Sequence, residues 1–267
     1  MANTRIESLP EECMAHILSF TSPRDVCRSS TVSLFFQEVA DSDQTWQKFL
    51  PSDYAEILSR SVHEMKFSSM KDLFLKLSST PLLIDGGLKT FSVEKYTNKK
   101  CYMLSTKELS ITWANNNLNW CRKPLLQSRF PESVELIMVS WLEIHGKIGT
   151  RMLSSNTIYG AYLVFQLADR AFGLGTLPSE VIVEVGGYKT QGSVYLKLGN
   201  EDQRELCVRA DGWLEVELGE FYINDGIGGC KNEVKMWLRE IKGEHLKGGL
   251  LVEGIEIRPK ASNSKYM

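Results

Sequence analysis

The sequence predicts an α+β protein of more than one domain: a helical N-terminal region followed by an antiparallel β-sandwich. Apolar residues recur at helical intervals up to about residue 80, and from Leu82 onward the period changes to two. Roughly ten short alternating runs follow, divided by Gly- and Asn-bearing turns, and no helical spacer among them is long enough for a parallel crossover. At 267 residues, 43% hydrophobic and 24% charged, the chain has enough apolar material for one large core or two ordinary ones.

Ser8-Leu9-Pro10-Glu11 has the spacing of a capping box, with proline in the first turn where its missing N–H costs nothing. Cys13, Ile17 and Leu18 then recur at helical intervals up to Phe20. Ser22-Pro23-Arg24-Asp25 repeats the device and starts a second short helix through Val26, Cys27 and Ser30. A third helix carries Leu34, Phe35 and Val39 on one side, and a further turn carries Trp46, Phe49 and Leu50 before Pro51 stops it. Residues 1–51 are thus one helical module, small enough that part of its apolar surface needs burial against another body. Residues 52–81 read as a helical linker: Tyr54, Ile57 and Leu58 in one piece, then Met70, Leu73, Phe74 and Leu77 on one face of a second, introduced by Ser68 and Ser69. The Ser78-Ser79-Thr80-Pro81 cluster ends it.

Residues 82–267 are the expected sandwich. Phe91 and Val93, the turn composition Thr97-Asn98-Lys99-Lys100, and residues 101–104 form a hairpin. Further strands are expected at 109–113, 134–144, 159–167, 181–185, 193–198, 205–209, 213–221, 233–241 and 250–257. Alternation is clearest at 213–221, where Leu214, Val216 and Leu218 are set for the core, and Trp213, Glu215 and Glu217 for solvent.

Residues 109–120 read LSITWANNNLNW. Three consecutive asparagines (Asn115, Asn116, Asn117) tolerate left-handed and turn backbone, so a strand here feeds a polar loop between two indoles. Either the loop holds a polar ligand with an apolar face, or Trp113 is core and Trp120 covers it.

Several function classes are disfavoured by composition. A net charge of −2 argues against nucleic acid or an anionic membrane as partner, and the Lys99-Lys100 pair reads as a solvated turn. The N-terminus has no basic segment followed by an apolar run, and no window approaches about 18 uninterrupted apolar residues, so neither secretion nor a membrane span is expected. Six cysteines without a C-x-x-C pair read as reduced thiols, which places the chain in the cytoplasm or nucleus. Four histidines form no H-E-x-x-H pair, and Gly173-Leu174-Gly175 and Gly226-Ile227-Gly228-Gly229 read as turns rather than phosphate loops. No catalytic residue, metal or cofactor is expected, and alternation along one strand explains Glu215 and Glu217 better than a glycosidase pair does.

The run IESLPEECMAHILSF at 6–20, SPRDVCRSS at 22–30, then Phe35, Val39, Ala40, Trp46 and Leu50-Pro51 resemble an F-box. The resemblance implies a helical module that docks on the Skp-type adaptor of a cullin ubiquitin ligase. By position it makes Leu9, Pro10, Ile17, Leu18 and Val26 the adaptor contacts and Trp46 a packing anchor.

LSITW at 109–113, WLEIHGKI at 141–148, AYLVF at 161–165, RADGWLEVELGEF at 209–221 and GIEIRP at 254–259 resemble, in order, the phloem-protein-two lectin domain found in plants, which one subfamily joins to an F-box. That resemblance implies a jelly-roll-like sandwich and, in the lectin members, binding of glycans containing N-acetylglucosamine. The sugar-contacting positions fall on Trp113, Trp120, Glu233 and Glu240. An indole offers its face to the C–H side of a pyranose, and an ionised carboxylate accepts hydrogen bonds from hydroxyls. Asn119 and Arg122 stand where lectin members carry further aromatics. Glu233 and Glu240 are an odd number of residues apart, so a ligand shared between them requires a bulge or Glu240 beyond the strand end; Trp237, on the face of Glu233, is a further contact or core. The expected function is a non-catalytic substrate receptor for a glycan or glycoprotein target, the alternative being a sandwich that recognises a protein surface directly.

Overall fold

The computed structural model describes residue 6 and residues 9–197, 206–224 and 233–260. Ser8, Leu198, Glu205, the glycines at 226–229 and Cys230 lie outside the described residues. The chain divides into two compact units, one of Met1–Ile84 with Phe91–Lys100, the other of Asp85–Thr90 with Cys101–Met267.

The first unit contains helices α1 (Glu11–Ser19), α2 (Pro23–Ser29), α3 (Leu34–Asp41), α4 (Asp43–Gln47), α5 (Tyr54–Ser59) and α6 (Met70–Ser79). Pro10 stands before α1 rather than in its first turn, because its ψ of 144° is extended. Ser22, Ser33 and Ser69 cap α2, α3 and α6 by accepting the N–H of Asp25 at 3.1 Å, Phe36 at 3.4 Å and Asp72 at 3.1 Å. Trp46 is the centre of the packing. Its indole N–H donates to the Ala40 carbonyl at 2.6 Å, and its ring meets Phe49 and Phe74 at centroid distances of 5.8 and 5.3 Å. Asp43 accepts the Met70 N–H at 2.7 Å, which fixes the start of α6 against α4. Residues 70–79 therefore complete the core that Trp46 begins, while Ile17, Phe20, Val32 and Leu34 stay exposed.

The strands are β1 (Leu82–Ile84), β2 (Lys89–Val93), β3 (Lys100–Ser105), β4 (Ser110–Ile111), β5 (Trp120–Lys123), β6 (Ser133–Leu136), β7 (Leu142–Gly149), β8 (Thr157–Phe172), β9 (Ser179–Val185), β10 (Tyr188–Val194), β11 (Cys207–Val208), β12 (Leu214–Ile223), β13 (Glu233–Glu240) and β14 (Gly248–Pro259). The second unit is an antiparallel sandwich. One layer runs β3-β14-β8-β12-β11, with β6 also along β14 and β5 beside β6; the other runs β10-β9-β13-β7-β4. Val183, Met236 and Ile144 of the second layer are buried with Leu163, Phe221 and Ile255 of the first. Glycines mark where the layers come closest: a Cβ on Gly146 would lie 2.9 Å from Ile255 Cδ1, and one on Gly219, at the β12 bulge, 2.9 Å from Val183.

Other expectations are corrected as well: the strand expected at 193–198 is β10, which runs earlier, from Tyr188 to Val194, as the hairpin partner of β9. The single strand expected at 134–144 is β6 and β7, in different layers, and the chain crosses between them at 138–141, where Val139 bridges Lys247. Val139 is buried like its strand neighbours, so apolar alternation runs through the crossover and leaves no break in the sequence. Glu215 and Trp213 are buried rather than solvent-facing. Arg258 and Arg209 pair with Glu215 at 2.5 and 2.8 Å, and Trp213 donates to the Gln127 carbonyl at 3.3 Å, so charged side chains and the 124–130 loop cover that face.

Phe74→Ala removes an aromatic wall from the Trp46 core, and truncations of this kind cost about 3–5 kcal/mol. Helical circular dichroism during urea unfolding is expected to show that loss; an unchanged midpoint would mean that α6 contributes nothing to the helical core.

Candidate functional site

β4 ends after two residues because Trp113 adopts φ +60°, a left-handed conformation that costs an L-residue ~1–2 kcal/mol. The surrounding hydrogen bonds hold it there. Thr112 N–H still reaches the Glu143 carbonyl across β7 at 3.1 Å, Ala114 N–H turns back to Ile111 at 3.1 Å, and Asn116 N–H bonds to the Trp113 carbonyl at 2.9 Å. Asn116 organises the return: its carbonyl accepts from Asn119 and Trp120 at 2.9 and 3.0 Å, and its side chain accepts the Leu118 N–H at 3.0 Å.

The two indoles consequently part company. Trp113 is 49% exposed, whereas Trp120 is 1% exposed and donates its ring N–H to the Thr112 carbonyl at 3.0 Å. Trp120 is the floor of the loop and Trp113 its surface. Asn119 donates its side-chain amide to Met138 at 2.9 Å and accepts the Ile137 N–H at 2.8 Å, tying the loop to the crossover; Arg122 is exposed on β5. The crossover presents Trp141, 42% exposed, whose ring N–H donates to Glu143 at 3.3 Å. Sequence reasoning passed over Trp141 as a candidate, although its place two residues before Glu143 on the outward row of β7 was the available signal.

The two carboxylates do not meet. β13 runs against β7 without a register shift from Glu233↔Gly149 to Glu240↔Leu142, so Glu233 faces outward and Glu240 inward. Seven residues of strand separate them by about 23 Å. Trp113 and Glu240 lie at one end of the five-stranded layer, Trp120 starts β5 in the other layer, and Glu233 lies at the opposite end of β13, 3.4 Å from Lys147. Glu240 is buried and ion-paired with Lys247, which is 1% exposed; it also accepts the Gly243 N–H at 3.0 Å and lies 3.5 Å from His245 Nε2. Lys247 in turn donates to the Ser140 carbonyl inside the crossover. Trp237 stacks on His145 at 4.6 Å and is half-buried. Burial first, then the Lys235 and Lys147 charges, hold the His145 imidazole below its ordinary value of 6.5.

In the helical unit Leu9 is half-buried, Pro10 and Ile17 are exposed, and Leu18 and Val26 are buried within the fold. Among the described residues no group of three or more His, Cys, Asp or Glu side chains is arranged to hold a metal ion, and no helix is long and apolar enough to cross a membrane.

Residues 6–52 match the F-box-like family and residues 99–259 the phloem protein 2 family. The chain belongs to the F-box proteins that carry a phloem protein 2 domain. It is 46% identical over 279 residues to the F-box protein PP2-B15 of Arabidopsis thaliana, covering 94% of this chain and 96% of that one. Another member of the same family, F-box protein VBF of Arabidopsis thaliana, is 41% identical over 282 residues, covering 94% and 99%. Likeness to solved structures is slight: a family 35 carbohydrate binding module from Clostridium thermocellum aligns with a TM-score of 0.32 at 11% identity, over 59% of this chain and 96% of that one, and nothing about a ligand follows from it.

Lys247→Met strands the Glu240 carboxylate in the interior, and breaking a buried pair in this way costs about 3–5 kcal/mol. Urea unfolding is expected to show that loss, with most of it recovered in the Lys247→Met/Glu240→Leu double variant. The His145 shift has its own signature. Between its lowered value and 6.5 the unfolded chain binds the proton that the folded chain refuses, so stability contributed by neutral His145 falls as pH drops below about 6.5. His145→Gln is expected to flatten that part of a plot of melting temperature against pH.

Proposed function

We propose that the chain is a non-catalytic substrate-recognition subunit of a Skp-cullin-F-box ubiquitin ligase, acting in the cytoplasm, the nucleus or both. The ubiquitin transfer chemistry belongs to other subunits. The observation that carries this reading is the exposed apolar side of α1, where Pro10 and Ile17 lie two turns apart on one face and Phe20 projects further along. Leu9, half-buried, precedes that surface, while Leu18 and Val26 are buried and support their helices from inside.

The sandwich selects the target through the Trp113 end of its five-stranded layer. Trp113 stacks against a sugar containing N-acetylglucosamine, Trp141 supplies a second indole, and Glu143 accepts hydroxyl hydrogen bonds; Trp120 and Glu240 hold the loop and crossover beneath. One or two stacking contacts and a few hydrogen bonds of about 1 kcal/mol each give affinities on the order of millimolar to tens of micromolar. Exposed Leu118 and Met138 at the same end favour a second reading, since aliphatic side chains offer a polyol nothing and a protein surface a great deal.

Pro10→Ala combined with Ile17→Asp is expected to abolish co-purification with the Skp-type adaptor, and undiminished association would remove the ligase assignment. On a glycan array, Trp113→Ala and Trp141→Ala are each expected to weaken binding to N-acetylglucosamine oligomers about fivefold, the equivalent of one stacking contact. A folded wild-type chain that binds no glycan selects the protein-surface reading.

A further inference from the structure

We propose that the sandwich carries a second site, for a small amphipathic monoanion such as an organic carboxylate with an apolar body, on the far side of β13 from the Trp113 loop. A cavity of about 550 Å³ opens there at the end of β10, β9 and β13, a volume suited to a small ligand rather than to a length of peptide. Its floor is one row of the sheet: Arg239 pairs across β9 with Glu180, which pairs across β10 with Ser193. Leu177, Pro178 and Ile241 wall it with apolar surface.

Charge decides the class of occupant. The Arg239 guanidinium bonds to one Glu180 oxygen at 2.6 Å and the Gln191 amide donates to the other, so the Glu180 carboxylate is engaged at both oxygens and its charge is offset by Arg239. Glu240 also lines the cavity, and its buried carboxylate is already ion-paired with Lys247. Lys242 is exposed on the rim and has no ion-pair partner among the described residues. Two cations thus face one neutralised carboxylate, beside the exposed Ser193 hydroxyl, which has no hydrogen-bond partner among the described residues. The same surplus is felt by Glu180, whose carboxyl is held below the usual range by the Arg239 hydrogen bond, with Lys242 and Lys189 adding to it. A carboxylate head would sit between Lys242 Nζ and the Ser193 hydroxyl, and its apolar body against Leu177, Pro178 and Ile241.

The probes are 4-phenylbutyrate and its uncharged analogue 4-phenylbutanamide, titrated into the full chain and followed by calorimetry and amide NMR. The acid is expected to saturate with shifts at Gly192, Ser193, Ile241 and Lys242, and to bind about tenfold more tightly than the amide. Lys242→Ala, an exposed position whose change leaves the melting temperature alone, is expected to erase that tenfold difference. Ser193→Trp, which fills the mouth, is expected to block both probes, and Trp113→Ala to affect neither. Equal affinity for acid and amide, shifts scattered away from the cavity, no saturation, or an acid preference that survives Lys242→Ala would each overturn the proposal.

Discussion

The ion pair between Glu240 and Lys247 is the contact on which the candidate surface depends. Both groups are buried, so neither is stable there without the other, and their geometry is fixed by further bonds to Gly243 and Ser140. Ser140 lies in the stretch where the chain passes from one layer to the other, which means that the pair determines where β6 stops and β7 starts. Trp141, Met138 and, through Asn119, the whole 112–120 loop take their positions from that crossing. A carboxylate placed to look like a ligand group is thus a structural anchor of the crossover.

A similar division separates the two tryptophans. Left-handed backbone at Trp113 turns its ring outward, and the energy needed to hold it comes from bonds that Asn116, Thr112 and Trp120 make around it. Trp120 is indispensable to the surface without being part of it. Spacing of one indole seven residues after another says that both belong to one loop; it says nothing about which of them water reaches.

The helical unit shows the opposite balance, with an inside that is complete and an outside that is not. Trp46, Phe49 and Phe74 form a closed aromatic core, yet Ile17 of α1 and Phe20 just after it stay exposed. A short helix with one apolar side packed and another bare is what a docking module requires, because the bare side gains its burial only in a complex. On the sandwich the outer face of the β12-β8-β14 layer is instead closed by its own charges, with Arg209 and Arg258 over Glu215 and Glu256.

Local chemistry was enough to read most of the elements from the chain: serine caps at Ser22 and Ser69, period-two alternation in β9, β12 and β13, and the proline stop after Leu50 each act within a few residues of themselves. The loop between Trp113 and Trp120 was legible for the same reason, whereas Trp46 as a packing anchor came from the resemblance to the F-box. What the sequence could not disclose is which strand joins which layer and which side chains end beneath them. The break between β6 and β7 is made by Lys247, more than a hundred residues away, and the burial of Glu215 by arginines from β14 and the approach to β12. Alternation assigns two faces to a strand, but only the tertiary arrangement decides what covers each face. That is why Trp120, Glu215 and Glu240 end up buried while Trp141 stands at the surface.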